Sequence, residues 1–127
     1  MRKKILLAED NHAVLAGTTQ LLRSYGHEVS EAVNGYVACQ ILSSGLQDFD
    51  FVMSDYRMPQ MNGLELLILL MENSRSGAPR FILVSSDLPP HVRTEAISLG
   101  AHVLSKPYSE EKLLEILHPP VAGQSTR

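Results

Sequence analysis

The sequence predicts a doubly wound α/β sandwich in which a parallel sheet of five strands is covered by helices on both faces. Short β-type runs alternate with helix-length amphipathic segments along the chain, which is the pattern of (βα)5 folds with parallel strands. The first, third and fourth runs are the most apolar, as expected for central strands buried on both faces. Both observations favour one layered domain.

Each element is predicted from its own local pattern. Strand candidates are short runs rich in aliphatic residues, and helix candidates carry apolar residues at spacings of three and four. Asn34 and Ser109 are predicted N-caps of the second and fifth helices, and Gly26 is a stop signal for the first. The predicted strands are 4–8, 28–32, 51–54, 81–85 and 101–104, and the predicted helices are 12–25, 36–44, 63–72, 91–99 and 109–117.

The first predicted helix carries one apolar stripe at helical spacing. Residues on such a stripe are expected to face the core of the domain. The stripe consists of Val14, Leu15, Thr18, Leu21, Leu22 and Tyr25.

Composition restricts the class of protein. A chain of 127 residues with 44% hydrophobic content has the size of one domain. The formal charge of -3 and the scattered basic residues argue against direct nucleic-acid binding. The longest apolar stretch, 64–71, contains Glu65 and is too short to cross a bilayer, so no membrane role is expected.

Location and chain organisation are predicted from the single cysteine and from the two ends of the sequence. Cys39 cannot form an internal disulfide, and the start lacks a signal peptide, so a cytoplasmic location is expected. The start MRKK favours a stand-alone protein or the amino-terminal part of a longer one. Residues 1–118 are predicted to form the domain, and 119–127 a flexible tail or the start of a linker.

Three acidic residues follow strands that should be neighbours in the sheet. In doubly wound sheets, ligands bind beyond the carboxyl ends of the strands. Glu9 and Asp10 follow the first predicted strand, and Asp55 follows the third. Three carboxylates at one edge repel one another unless a cation lies among them. Hard oxygen ligands suit Mg²⁺, so the sequence predicts a magnesium site there.

Other polar residues are expected at the same edge. Lys106 follows the fifth strand and would neutralise a transferring phosphoryl group. Ser85 ends the fourth strand and offers a hydroxyl donor, although a serine there more often caps the next helix. The five histidines are dispersed without the spacing of a zinc site, so solvated or packed histidines are favoured.

Four segments carry a resemblance to the receiver domain of two-component response regulators. ILLAEDN resembles the first strand and acidic pair of that family, and FDFVMSDYRMPQMNG resembles its third strand, phosphoacceptor and following loop. FILVSS resembles the fourth strand with its hydroxyl residue, and GAHVLSKPY the fifth strand with its lysine and proline. The resemblance covers nearly the whole chain and implies the flavodoxin-like, CheY-like fold.

The resemblance implies a metal-binding role for the acidic residues. Asp10 would bind Mg²⁺ directly, and Glu9 would act mostly through a bound water. Asp55 would bind the ion as well, and the backbone carbonyl of Arg57 would complete the ligands that the protein supplies.

The resemblance also implies a phosphoryl-transfer role. Asp55 would accept a phosphoryl group from a sensor histidine kinase or a histidine phosphotransfer protein, Ser85 would hydrogen-bond that group, and Lys106 would pair with it. The domain would catalyse only its own phosphorylation and dephosphorylation, so it would not be an enzyme acting on a free substrate. The signal would pass to a downstream output protein or domain through the face formed by residues 91–117, and a phosphorylation-dependent homodimer is left open.

Four positions depart from the family pattern or vary within it. Val103 stands three residues before the lysine, where the family usually has Tyr or Phe, which weakens the aromatic switch of that family. Ser86 stands where the family favours Ala or Gly. Arg57 and Asp87 resemble variable positions that flank the site, and we expect them to face each other across its mouth as a gate.

Alternative functions remain open from the residues alone. An aspartate-dependent phosphatase would need a second Asp two residues after Asp55, where Arg57 stands. A nucleotide binder would need backbone amides and hydroxyls in the first loop as hydrogen-bond donors to phosphate, but this loop instead presents Glu9 and Asp10. A degenerate receiver that serves as a docking module without phosphorylation is the third alternative, and Val103 leaves it open.

Overall fold

The computed structural model describes residues 2–45, 47–73 and 78–119. Within these ranges, strands and helices alternate along the chain in the predicted order. The strands are β1 (Lys4–Ala8), β2 (Glu28–Ala32), β3 (Phe51–Asp55), β4 (Arg80–Ser85) and β5 (His102–Ser105), and the helices are α1 (His12–Ser24), α2 (Gly35–Ser44), α3 (Gly63–Asn73), α4 (Pro90–Ser98) and α5 (Glu110–Leu117).

The strands form one parallel sheet in the order β2-β1-β3-β4-β5. The chain therefore reverses its direction of winding between β1 and β3, which is the switch point where doubly wound sheets bind ligands. Ala8 at the end of β1 pairs with Ser54 near the end of β3. The residues that follow Ala8 consequently lie beside Asp55, which is the last residue of β3.

The core has two apolar layers, one on each face of the sheet. Alternate residues of the central strands point to opposite faces, so Leu6 and Val52 pack on the side of α2, α3 and α4. Leu7 and Met53 pack on the side of α1 and α5. Their burial on both faces confirms the prediction of a doubly wound sandwich.

The ends of all predicted elements agree with the structure within one residue. The Asn34 side chain accepts a hydrogen bond from the Val37 amide at 2.8 Å, and the Ser109 hydroxyl accepts one from the Lys112 amide at 3.1 Å. Both predicted N-caps are thus present. Gly26 follows α1 with a φ of 91°, which favours glycine.

The predicted core stripe of α1 is wrong at two positions. Val14 and Tyr25 are each 38% exposed. The residues of this helix that are buried are Leu15, Thr19 and Leu22. Thr19 is accommodated because its hydroxyl donates to a Glu31 carboxylate oxygen at 2.7 Å.

Two further predictions concern the chain end and the membrane. Residues 120–127 lie outside the described residues, so the flexible tail at 119–127 stays a prediction. In the described part of the chain, no helix has both the length and the apolar character needed to span a bilayer.

Candidate functional site at the carboxyl edge of the sheet

The three predicted acidic residues come together at the carboxyl edge of the sheet. One carboxylate oxygen from each of Glu9, Asp10 and Asp55 lies within 4.8 Å of the others. The Glu9 side chain is only 7% exposed and that of Asp55 is 12% exposed, whereas Asp10 faces solvent. The site is therefore a partly buried cluster of oxygen donors with one open side.

Lys106 brings a positive charge into this cluster. Its Nζ lies 2.9 Å from Asp55 Oδ1 and 3.5 Å from Glu9 Oε1. The Lys106 amide donates to the Ser85 carbonyl at 2.9 Å, which fixes the start of the loop after β5, and the Lys106–Pro107 peptide is cis. Burial opposes the charged form of Lys106, but hydrogen bonding and attraction to Asp55 raise the pKa of its ammonium group.

The charges within the cluster do not balance. Three carboxylates and one ammonium group leave a formal excess of two negative charges. Burial raises the pKa of Glu9, and repulsion from Asp55 adds to this, although the Asn11 amide donates to Glu9 Oε2 at 3.1 Å and acts in the opposite direction, as does Lys106. Such a cluster favours a divalent cation, which would offset the excess.

A close approach by Gly63 supports the loop after β3, and sequence reasoning did not single this residue out. A Cβ atom on Gly63 would lie 2.6 Å from the Asp55 carbonyl oxygen and 2.6 Å from a Leu83 methyl. The Gly63 amide donates to the Tyr56 carbonyl at 2.8 Å. The available signal was the Met-Pro-x-Met-x-Gly loop, whose final glycine is this residue.

Ser85 takes part in a second polar group beside the cluster. Ser85 is buried, and its hydroxyl donates to Asp87 Oδ1 at 3.3 Å and accepts from the Asp87 amide at 3.2 Å. Arg57 Nε lies 3.0 Å from both carboxylate oxygens of Asp87. The expected contact between Arg57 and Asp87 is therefore present, and the Arg57 guanidinium lowers the pKa of Asp87.

Two surface depressions border the cluster. One, of about 400 Å³, is lined by Asp10 and Arg57 together with the loop after β3. The other, of about 420 Å³, lies between α1 and the loop after β5 and reaches Asp55 and Lys106. The apolar walls of this second depression include Val14, Pro107 and Tyr108.

Val103 lies on β5, where it pairs with Leu83 of β4. It is half-buried and packs against the core layer formed by α2, α3 and α4. A valine thus occupies the position at which an aromatic side chain was expected from the resemblance. Tyr108 is half-buried and packs against the other core layer, in agreement with a packing role.

The fold and the edge cluster together define a class of protein: a doubly wound domain with paired acids after β1, an aspartate at the end of β3 and a lysine after β5. The sequence profile of the response regulator receiver domain matches residues 5–118. The chain belongs to this family, which is the receiver domain of two-component signalling systems.

Individual relatives agree with this placement. The nitrate/nitrite response regulator protein NarL of Escherichia coli is 35% identical over 123 residues, which cover 94% of this chain and 55% of NarL. The sensory/regulatory protein RpfC of Xanthomonas campestris pv. campestris is 34% identical over 118 residues, which cover 90% of this chain and 16% of RpfC. The chain thus spans about half of the first relative and a small part of the second.

The fold agrees with solved structures as well. The structure of the chemotaxis protein CheY4 of Vibrio cholerae superposes with a TM-score of 0.79 at 26% sequence identity, covering 92% of this chain and 97% of that one. The predicted fold class and the predicted family are both confirmed.

Proposed function

We propose that Asp55 is the phosphoacceptor of a two-component relay. The observation that carries this proposal is the position of its carboxylate, which lies 2.9 Å from the Lys106 ammonium group and among the oxygens of Glu9 and Asp10. Phosphoryl transfer needs little covalent help from the protein, so a positioned oxygen nucleophile and neutralising cations are sufficient.

The proposed transfer starts from a phosphohistidine on a sensor histidine kinase or a histidine phosphotransfer protein. An oxygen of Asp55 attacks the phosphorus, a P–O bond forms, and the P–N bond breaks with its electron pair left on the imidazole nitrogen. Lys106 pairs with the phosphoryl oxygens as they arrive. The domain catalyses its own phosphorylation and dephosphorylation and turns over no free substrate.

Glu9, Asp10 and Asp55, with the backbone carbonyl of Arg57, are proposed to hold Mg²⁺. The donor set fits this ion because carboxylate and carbonyl oxygens are the ligands it prefers, and because the cluster carries uncompensated negative charge. When bound, the ion supplies neutralisation of the phosphoryl oxygens.

Ser85 is proposed to exchange partners on phosphorylation. In the structure its hydroxyl bonds to Asp87 rather than to Asp55. A phosphoryl group adds strong acceptors, so the Ser85 hydroxyl would turn toward it and release Asp87. Since Val103 replaces the usual aromatic residue, the change would pass through the loop after β4 to α4.

The surface formed by residues 91–117 is proposed to carry the signal to an output protein or domain, and to support a phosphorylation-dependent homodimer where one forms. It includes α4, β5 and α5, which lie directly after Ser85 and on both sides of Lys106. A change at either residue therefore reaches this surface without passing through the rest of the core.

The Arg57–Asp87 pair is proposed as a gate over Asp55. Arg57 lies two residues after Asp55, and its contact with Asp87 connects the loop after β3 to the loop after β4. While closed, this contact would hinder the water that hydrolyses the acyl phosphate. Both side chains are about 60% exposed, so the gate would open readily and would change rates more than stability.

The test of the proposed function is labelling with acetyl phosphate in the presence of Mg²⁺. We expect one acyl phosphate, trapped with borohydride and located on Asp55 by peptide mass, and no label in the Asp55→Asn variant. The exposed Asp48→Asn variant is the matched control and should be labelled normally. A label on another residue would refute the site, and no label with any donor would favour the phosphorylation-independent docking module.

A further inference from the structure

Two histidines that are distant in sequence meet at the end of the sheet opposite to the acidic cluster. His27 lies between α1 and β2 and is only 4% exposed. His118 directly follows α5 and faces solvent. Their Nε2 atoms lie 3.1 Å apart, and their rings stack with centroids 4.9 Å apart at an interplanar angle of 23°.

The neighbouring hydrogen bond determines the tautomers of both rings. The Lys3 backbone amide donates to His27 Nδ1 at 3.0 Å, so that nitrogen carries no proton. A neutral His27 must then carry its proton on Nε2, which donates to His118 Nε2. His118 accepts at Nε2 and carries its own proton on Nδ1. The hydrogen bond between the two rings thus contains a single proton, the one on His27 Nε2.

The same arrangement argues against a metal ion shared by the two rings. A ligating Nε2 needs a free lone pair, which would move the His27 proton to Nδ1. That position already faces the Lys3 amide proton. The contact is therefore a hydrogen bond between neutral histidines.

We propose that the His27–His118 pair is a pH-sensitive clamp that ties the end of α5 to the base of the sheet. The hydrogen bonds from the Lys3 amide to His27 and from His27 to His118 can both form only while both rings are neutral. A proton added at His27 Nδ1 would face the Lys3 amide, and a proton added at His118 Nε2 would face the His27 N–H. Either event places two donors opposite each other, so one added proton opens the clamp.

The charges around the pair also disfavour protonation of the two rings. The Lys3 charge acts on both rings. Basic groups outnumber acidic ones in a depression of about 340 Å³ beside His27, whose charged lining is Arg2, Lys4, Arg23 and Glu28. The carboxylate of Glu28 is 3.1 Å from Arg2, so it is already paired.

Burial lowers the pKa of His27 below the ordinary value of 6.5, and the charges of His118 and Lys3 lower it further. Burial and the charge of Lys3 lower the pKa of His118, although the carboxyl end of a helix by itself favours a cation. Because the folded protein binds protons less readily than the unfolded chain, the clamp is fully formed above pH 6.5. It is lost as the pH falls through the lowered pKa values.

Opening is expected to affect the end of α5 and not the rest of the fold. Leu113 and Leu117 remain buried and hold the helix. The histidine pair lies at the opposite end of the sheet from Asp55, so the proposed phosphoacceptor site should keep its geometry. The clamp would therefore make the exit of the chain from α5 sensitive to pH while phosphorylation continues.

The direct test is long-range ¹H–¹⁵N NMR of the histidine rings in the full chain. We expect His27 as the Nε2–H tautomer and His118 as the Nδ1–H tautomer at pH 7.5, and a joint transition below pH 6.5 that also shifts the amides of Lys3 and Leu117. A His27 ring protonated on Nδ1 at pH 7.5, or two independent transitions, would refute the clamp.

A variant provides the second test. His118→Ala at pH 7.5 should reproduce the amide shifts that acid causes at Lys3 and Leu117, and should remove their further change on acidification. His91→Ala, which alters an exposed histidine in α4, should leave both amides and their pH dependence unchanged. If the two variants behave alike, the pair does not control the end of α5.

Discussion

Asp10→Asn is expected to stabilise the protein in the absence of Mg²⁺ and to abolish its stabilisation by Mg²⁺. Asp10 adds a third carboxylate to a cluster in which Lys106 already pairs with Asp55 and approaches Glu9. An amide of the same shape would remove the repulsion and also remove a ligand. The residue would thus be unfavourable for folding and necessary for metal binding.

The magnitude follows from the separation of the charges. Two unit charges at 4.8 Å, the upper limit of the separations within the cluster, repel by roughly 0.9 kcal/mol in water and roughly 3.5 kcal/mol at an effective dielectric constant of about 20. Asp10 is exposed, which favours the lower figure, and Lys106 offsets part of the repulsion. We therefore expect the free energy of unfolding to rise by about 1 kcal/mol, or the Tm by roughly 4 °C.

The assay is urea unfolding at pH 7.5 with EDTA and, in parallel, with excess Mg²⁺. The matched control is Asp48→Asn, which removes one exposed negative charge from the segment before β3. The gain in the Asp10→Asn variant should shrink at high salt because salt screens exposed charges. In wild type, Mg²⁺ should raise the free energy of unfolding as its concentration passes the dissociation constant.

Three results would contradict this reasoning. A loss of stability in EDTA for Asp10→Asn would mean that the carboxylate is favourable in the folded protein. An equal stabilisation of variant and wild type by Mg²⁺ would mean that the ion binds elsewhere. A gain as large in Asp48→Asn would show that net charge, and not the cluster, is responsible.

Three further predictions address the same edge of the sheet. Gly63→Ala should lower the free energy of unfolding, measured by urea unfolding, by about 3 kcal/mol because its Cβ would overlap the Asp55 carbonyl. The control is Gly17→Ala, which should raise that free energy by about 0.8 kcal/mol because nothing lies within 4 Å of its Cβ. Since the folded pKa of Glu9 is raised, the Mg²⁺-free protein should lose stability as the pH rises from 4.5 through that pKa. Glu9→Gln should remove this decrease of the free energy of unfolding with pH. An unchanged decrease in the variant would assign it to another group. Reversing both charges of the gate, Arg57→Glu with Asp87→Arg, should return the dephosphorylation rate toward wild type relative to either single change, and a double variant no closer than the singles would contradict the pairing.

Much of the fold was predictable because its signals are local. The β-type runs, the helical spacing and the caps at Asn34 and Ser109 depend on residues a few positions apart, and their boundaries agree with the structure within one residue. The convergence of the acids was also predictable, because parallel strands present their carboxyl ends at one edge. The wrong positions in the α1 stripe, Val14 and Tyr25, lie where local spacing does not reveal which neighbour covers the helix.

By itself, the sequence determined the succession of strands and helices along the chain, the acids and lysine available at the strand ends, and the family to which the chain belongs. Only the tertiary structure decided that the Ser85 hydroxyl bonds to Asp87, that Gly63 packs on the Asp55 carbonyl, and that His27 and His118 form a pair. The physical reason is range: these contacts depend on side-chain directions and on distances across the sheet, which no local pattern of residues records.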